Sequence, residues 1–167
     1  EVRHPNIVEI YDFIHTQTPK CVALVMQHLK GQSLAELLKS TEKLKANQAV
    51  RACYQVCDAV AAVHERGVIH RDLKPDNIFV TANIESSFNY VPSLKVLDFG
   101  IAKDLVQPGA HKTKSGIALG TPAYMAPEQI SGAESTEKSD VYAVASILYE
   151  MLTGSRLFSG DVTQILQ

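Results

Sequence analysis

The chain has 167 residues, 46% hydrophobic and 20% charged, which is enough for one substantial core and has a globular composition. A net charge of −2 and a pI near 6.3 exclude the strongly basic surface that draws proteins onto nucleic acid or anionic membranes, so neither is an expected partner. Three cysteines, Cys21, Cys53 and Cys57, form an odd set without paired spacing or nearby ligand-spaced histidines; this speaks against a disulfide framework or a zinc site and fits a reducing, cytoplasmic setting.

Residues 7–14 and 21–26 are rich in β-branched and apolar side chains, and the polar, Pro-containing stretch 16–20 between them predicts a strand pair. Gly31 marks a hinge-like break. Ser33 followed by Glu36 is a capping-box pattern ahead of Leu34, Leu37 and Leu38, so a short helix is expected from about Ser33. Residues 46–66 contain no Gly or Pro. Val50, Cys53, Cys57, Val60, Ala61 and His64 recur there at three- and four-residue steps, which predicts one long helix with these residues on a shared face and Gly67 closing it. Cys53 and Cys57 share that face at a spacing open to oxidation chemistry, with small buried packing as the expected role.

Short apolar runs at 68–69, 78–80 and 94–97 predict strands, with a long exposed connection over 81–93. Residues 108–120, rich in Gly, Lys and hydroxyls without periodicity, read as a functional loop. A second strong helix is expected over about 139–153, closed by Gly154, and the first turns of another over 161–167. The apolar run 141–152 is interrupted by Ser146 and Glu150 and is too short to cross a bilayer. Because the chain opens at Glu1 without an initiator Met, a membrane anchor elsewhere in the full-length protein stays open.

The segment His70-Arg71-Asp72-Leu73-Lys74-Pro75-Asp76-Asn77 puts an acid, a lysine and an amide within six positions of one another, in a loop between two expected strands. Asn77 precedes the run 78–80 and Asp98 follows the run 94–97. If those strands pair antiparallel, both oxygen-bearing side chains arrive at one end and make a hard-oxygen site suited to Mg²⁺. Taken alone, a loop Asp is ordinarily a turn residue bonded to its own backbone.

These segments recur in a recognisable order. His4-Pro5-Asn6-Ile7-Val8, His70 to Asn77, Asp98-Phe99-Gly100, Ala126-Pro127-Glu128 and Ser139-Asp140-Val141-Tyr142 resemble, in order and near spacing, the motifs of the eukaryotic-type (Hanks-type) protein kinase superfamily. The resemblance covers essentially the whole chain. Lys74 and Gly120-Thr121-Pro122 resemble serine/threonine kinases rather than tyrosine kinases, and the activation-loop positions resemble bacterial members.

The resemblance implies an α+β, protein-kinase-like fold: residues 1–27 as the last two strands of the small lobe, and 28–167 as a mainly helical catalytic lobe cut short at its C-terminus. It implies transfer of the γ-phosphoryl group of ATP to Ser or Thr hydroxyls of a protein substrate, with Mg²⁺ as the ion and Mn²⁺ as the alternative, and self-association for autophosphorylation. Asp72 would accept or orient the hydroxyl proton, Lys74 would neutralise charge on the transferring group, and Thr121 would bond both; Asn77 and Asp98 would hold the metal. Met26 would be the gatekeeper, with Gln27, His28 and Leu29 as the hinge and Phe79 beneath the adenine, although strand core also explains Phe79.

Thr113 and Ser115 would be activation-loop phosphosites, with Arg71 and Lys103 receiving the phosphate. Asp140 would bond the backbone of the catalytic loop from below, and a helix-start dipole role also explains it. His70, Phe99 and Ile10 resemble members of the stacked column that reports the active state. Glu128 in the family pairs with an arginine further downstream. The residues contain no Gly-rich phosphate loop, no strand lysine for the phosphates and no helix glutamate to pair with it, so the isolated fragment is expected to bind ATP very weakly and to be inactive. The rival reading is a pseudokinase, a binding or scaffold module without phosphotransfer. Small-molecule phosphotransfer on a related fold is disfavoured by Ala126-Pro127-Glu128.

Overall fold

A computed structural model describes residues 2–17, 20–81, 93–98 and 122–159. Two small antiparallel sheets and a helical layer build the α+β architecture. Strands β1 (Ile10–Gln17) and β2 (Lys20–Met26) pair antiparallel with Phe13 opposite Leu24. The polar break is shorter than the composition of 16–20 suggests, because Thr16 and Gln17 extend β1 and Lys20 begins β2.

Gly31–Ser33 is a third strand, β3, which sequence reading passed over as a hinge-like break. It pairs with β4 (Ile78–Thr81), which pairs in turn with β5 (Ser93–Val96), all antiparallel, with Ile78 opposite Val96. Residues 6–8 add a parallel rung to β5: Val8 N–H donates to Val96 O and Val96 N–H to Asn6 O. Val68 and Ile69 form no strand. Val68 N–H donates to Val63 O at 3.0 Å, closing the turn after the long helix, and two residues leave too little length for a ladder.

Helix α1 (Leu34–Thr41) starts as its sequence requires. Glu36 N–H donates to Ser33 Oγ, and the Glu36 carboxylate accepts from Ser33 N–H, so two otherwise orphaned donors are satisfied. Helix α2 (Ala46–His64) is the predicted long helix, ended by a turn in which Gly67 takes φ +70°. Its buried face is Ala49, Ala52, Val56, Ala59, Val60 and Val63, rotated by one residue from the face that periodicity selects. Val50, Cys57 and Ala61 are exposed, and Cys53 and His64 are half-buried. The alanines explain the shift: small side chains let α2 lie close to its neighbour, so they occupy the contact although their hydrophobic signal is weaker than that of Val or Cys. The buried-packing role expected of the two cysteines therefore fails for Cys57 and holds in part for Cys53.

Short helix α3 (Pro127–Ile130) precedes α4 (Glu137–Thr153). Ala143, Val144, Ile147 and Met151 of α4 and Leu34, Ile78, Leu94 and Val96 complete the core against α2. A fully buried aliphatic side chain here contributes about 1.5–3 kcal/mol relative to exposure. Among the described residues, no helix is long and apolar enough to cross a membrane.

Gly154 ends α4 with φ +77°, and a Cβ built there would lie 2.7 Å from the backbone oxygen of Glu42, in the connection between α1 and α2. Gly67 and Gly132 share the left-handed backbone but have nothing within 4 Å of such a Cβ. Gly154→Ala is therefore expected to cost more than the roughly 1–2 kcal/mol of the backbone conformation alone, and Gly132→Ala about that cost; denaturant melts of the two variants side by side check the difference.

Candidate active site

The loop between α2 and β4 is held from underneath. Asp140 lies one turn inside α4 and is 1% exposed. Its Oδ2 accepts from His70 N–H at 2.8 Å and its Oδ1 from Arg71 N–H at 2.9 Å. His64, at the end of α2, brings Nε2 to 2.8 Å from Oδ2, and because a carboxylate only accepts, that nitrogen carries hydrogen. One buried carboxylate thus gathers a side chain from α2 and two backbone donors from the loop. The helix N-terminus around it favours its negative charge.

His70 is fully buried, with Nε2 2.8 Å from Leu97 O and Nδ1 3.4 Å from Asp72 N. A carbonyl can only accept and a backbone N–H only donate, so Nε2 carries the hydrogen and Nδ1 the lone pair. Burial pulls the imidazole below its usual pKa, against the opposing bond to Leu97, and favours this neutral form. Arg71 adopts φ +67°, uncommon for a residue with a side chain, and its carbonyl accepts from Gln129 Nε2 at 2.9 Å, tying the loop to α3.

The strained turn delivers Asp72. Lys74 Nζ donates to Asp72 Oδ2 at 3.0 Å, and Asn77 Nδ2 donates to Asp72 O at 2.8 Å and Oδ2 at 3.3 Å. Leu73 points the other way into the core, at 3% exposure. Asn77 closes a 3₁₀ turn, Pro75–Asn77, whose proline presets the backbone, and its carbonyl accepts from Leu97 N–H at 2.8 Å. That bond extends the β4–β5 ladder by one rung and puts Asp98 at the same end as Asn77. Asp98 is exposed with φ +53°. The antiparallel pairing on which the metal expectation depended is present, and because Nδ2 of Asn77 is committed to Asp72, its Oδ1 is the atom left for a cation. The donor set of one amide oxygen and one carboxylate fits a hard divalent ion that keeps phosphate and water in its remaining positions. Among the described residues there is no group of three His, Cys, Asp or Glu that could hold a metal by itself.

The expected nucleotide-side residues follow from the same ladders. Met26 ends β2 opposite Ile10, and Gln27 N–H donates to Glu9 O at 2.8 Å. Met26, Gln27 and Leu29 are half-buried and His28 is exposed. Phe79 lies opposite Ser33, between the buried Ile78 and Val80, and is only half-buried itself, so it faces away from the core that its neighbours fill. Ile10 is half-buried. Phe99, Gly100, Lys103, Thr113, Ser115 and Thr121, together with the loops over 81–93 and 108–120 except for the ends of β4 and β5 and the helix expected over 161–167, lie outside the described residues.

Glu128 accepts from Ser139 Oγ, linking α3 to α4, and this bond holds its carboxyl below the usual range. Several members of the site carry no sequence signal that reading used. His64 looks like one more residue of a helix face; its only mark is an ionisable ring in an otherwise apolar row. Gln129 and the cluster of Tyr124, whose hydroxyl donates to Glu150, with Arg156 5.9 Å above its ring, are partnerships across 26 or more positions of chain.

The chain is similar in sequence to known proteins. The family described as the protein kinase domain matches residues 1–167. The chain is 40% identical over 162 residues to serine/threonine-protein kinase pkn3 of Myxococcus xanthus, covering 96% of this chain and 29% of that protein. A further serine/threonine-protein kinase of that organism is 42% identical over 160 residues, covering 96% and 22%. Serine/threonine-protein kinase PknB of Mycolicibacterium smegmatis is 35% identical over 162 residues, covering 96% and 25%. The chain thus spans between a fifth and a third of the length of these relatives.

Proposed function

This chain belongs to the protein kinase family, and on that premise we propose that its parent protein is a serine/threonine kinase transferring the γ-phosphoryl group of ATP to Ser or Thr hydroxyls of proteins. Kinases of this family use ATP and a divalent metal. Mg²⁺ is the ion we assign, with Mn²⁺ as the substitute, held by Asn77 and Asp98; when bound it neutralises charge on the phosphates. Residues 1–27 are assigned to the end of the small lobe and 28–167 to the catalytic lobe. The separate β1–β2 sheet supports that division.

The observation that carries the reading is the fixed Asp72 carboxylate. Its Oδ2 is bonded by Lys74 and Asn77, which leaves Oδ1 to accept or orient a substrate hydroxyl proton. Lys74, 21% exposed and anchored by Asp72, keeps a cation beside the reacting phosphoryl group. Thr121 is assigned to bond both. Arg71 and Lys103 are assigned to receive phosphate from Thr113 or Ser115. Met26, Gln27, Leu29 and Phe79 are assigned to the adenine. A protein substrate, self-association for autophosphorylation and a cytoplasmic kinase domain belong to the same reading, which includes no nucleic acid.

The test uses the full-length protein with radiolabelled ATP, Mg²⁺ and a Ser/Thr-containing protein substrate. Metal-dependent label on Ser or Thr is the expected result. Nucleotide binding without transfer, with either Mg²⁺ or Mn²⁺, would overturn it in favour of a scaffold module.

A further inference from the structure

Cys53 and Cys57 lie one turn apart in the middle of α2, about two turns before His64. Cys53 is half-buried and packs against the core, and Cys57 is exposed. Exposed Val50 and Tyr54 precede them by three residues each, so the two thiols open to solvent through an apolar rim. Burial, then the neighbouring Cys57, push the Cys53 thiol up to about 11. Neither cysteine has a part in the chemistry assigned above.

Spacing decides which ligand two such thiols can take. Positions i and i+4 on a helix hold their Cβ atoms about 5–6 Å apart, whereas a disulfide needs roughly 3.5–4.5 Å, so oxidation to a disulfide would have to distort a helix packed on both α4 and β5. A soft ion bridging two sulfurs, with bonds of about 2.3 Å as in zinc thiolates, spans the wider gap without such distortion. Tetrahedral zinc is not served, because among the described residues no third ligand stands with the pair. Thiolates select monovalent copper among soft ions, and copper(I) is content with two of them.

We propose that Cys53 and Cys57 form a two-coordinate site for a soft monovalent cation, copper(I), on the half-exposed face of α2. Binding replaces two S–H bonds with two S–Cu bonds, releases two protons and leaves the bridged unit with one negative charge; no electron changes hands. Because binding releases two protons, affinity rises with pH.

The experiment is an anaerobic titration of the full-length protein with copper(I) against a coloured competing chelator. One equivalent should be withdrawn from the chelator by the parent protein and by Cys21→Ser. Cys57→Ser, at an exposed position that leaves folding intact, and Cys53→Ser should each weaken binding by more than about a hundredfold, beyond the loss expected for a mere outer partner of a metal site. Retention of copper by either variant, or its loss in Cys21→Ser, would overturn the site. A Cys53–Cys57 disulfide found by mass spectrometry after mild peroxide treatment, with the helix signal unchanged, would overturn the spacing argument.

Discussion

Replacing Asp72 by asparagine in the full-length protein is expected to lower turnover on a peptide substrate by on the order of 10²-fold or more, the usual contribution of a positioned general base. The substitution keeps the shape of the side chain and an oxygen for Lys74, which lies 3.0 Å from Oδ2 in the parent. What it removes is a carboxylate able to take a proton. Since the Asp72 side chain is 29% exposed and Leu73 supplies the loop's hold on the core, stability should barely change. Steady-state kinetics with varied ATP and peptide check this: kcat should fall while the KM for ATP stays near its parent value. An enzyme with normal turnover would remove Asp72 from the chemistry.

Asp140→Ala should act on both stability and rate. Three donors, from His64, His70 and Arg71, lose their only common acceptor, and both backbone groups lie where water reaches poorly. Breaking a buried, hydrogen-bonded charge cluster costs about 3–5 kcal/mol, and denaturant unfolding should show a loss of that size. Because the same bonds hold the residues immediately before Asp72, kcat should also fall at temperatures where the variant remains folded. His64→Ala separates the two effects: it removes one donor but leaves the loop's backbone bonded, so it should cost less stability. A variant at position 140 with parental melting and parental turnover would contradict the account.

Much of the frame was legible from local chemistry. The Ser33–Glu36 capping box, the uninterrupted run that makes α2, Gly67 and Gly154 as terminators and the strand pairs around residues 7–26 and 78–96 each depend on neighbours within a few positions. The candidate site was legible for a related reason. Asp72, Lys74 and Asn77 lie within one short loop, and Asp98 follows the strand that pairs with the one after Asn77, so a single antiparallel ladder is enough to assemble them.

The misreadings share a cause as well. The buried face of α2 came out one residue away from the periodic one because contact with α4 rewards small side chains, and hydrophobicity alone does not register that preference. Val68 and Ile69 have strand-like side chains but no partner strand to bond. β3 was missed because three residues of Gly-Gln-Ser carry no β signal; they are a strand only because β4 lies beside them.

By itself the sequence determined which residues could do chemistry and which segments could be helices or strands, since residue type, spacing and capping act over a turn or two of chain. The resemblance implied that Asp140 bonds the catalytic-loop backbone; only the tertiary structure decided that Asp140, 69 to 76 positions away from its partners along the chain, would join His64 to the backbone of both His70 and Arg71. The physical reason is that a buried carboxylate is tolerable only where several donors converge on it, and their convergence is a property of how α2, α4 and the loop pack, which no local pattern encodes.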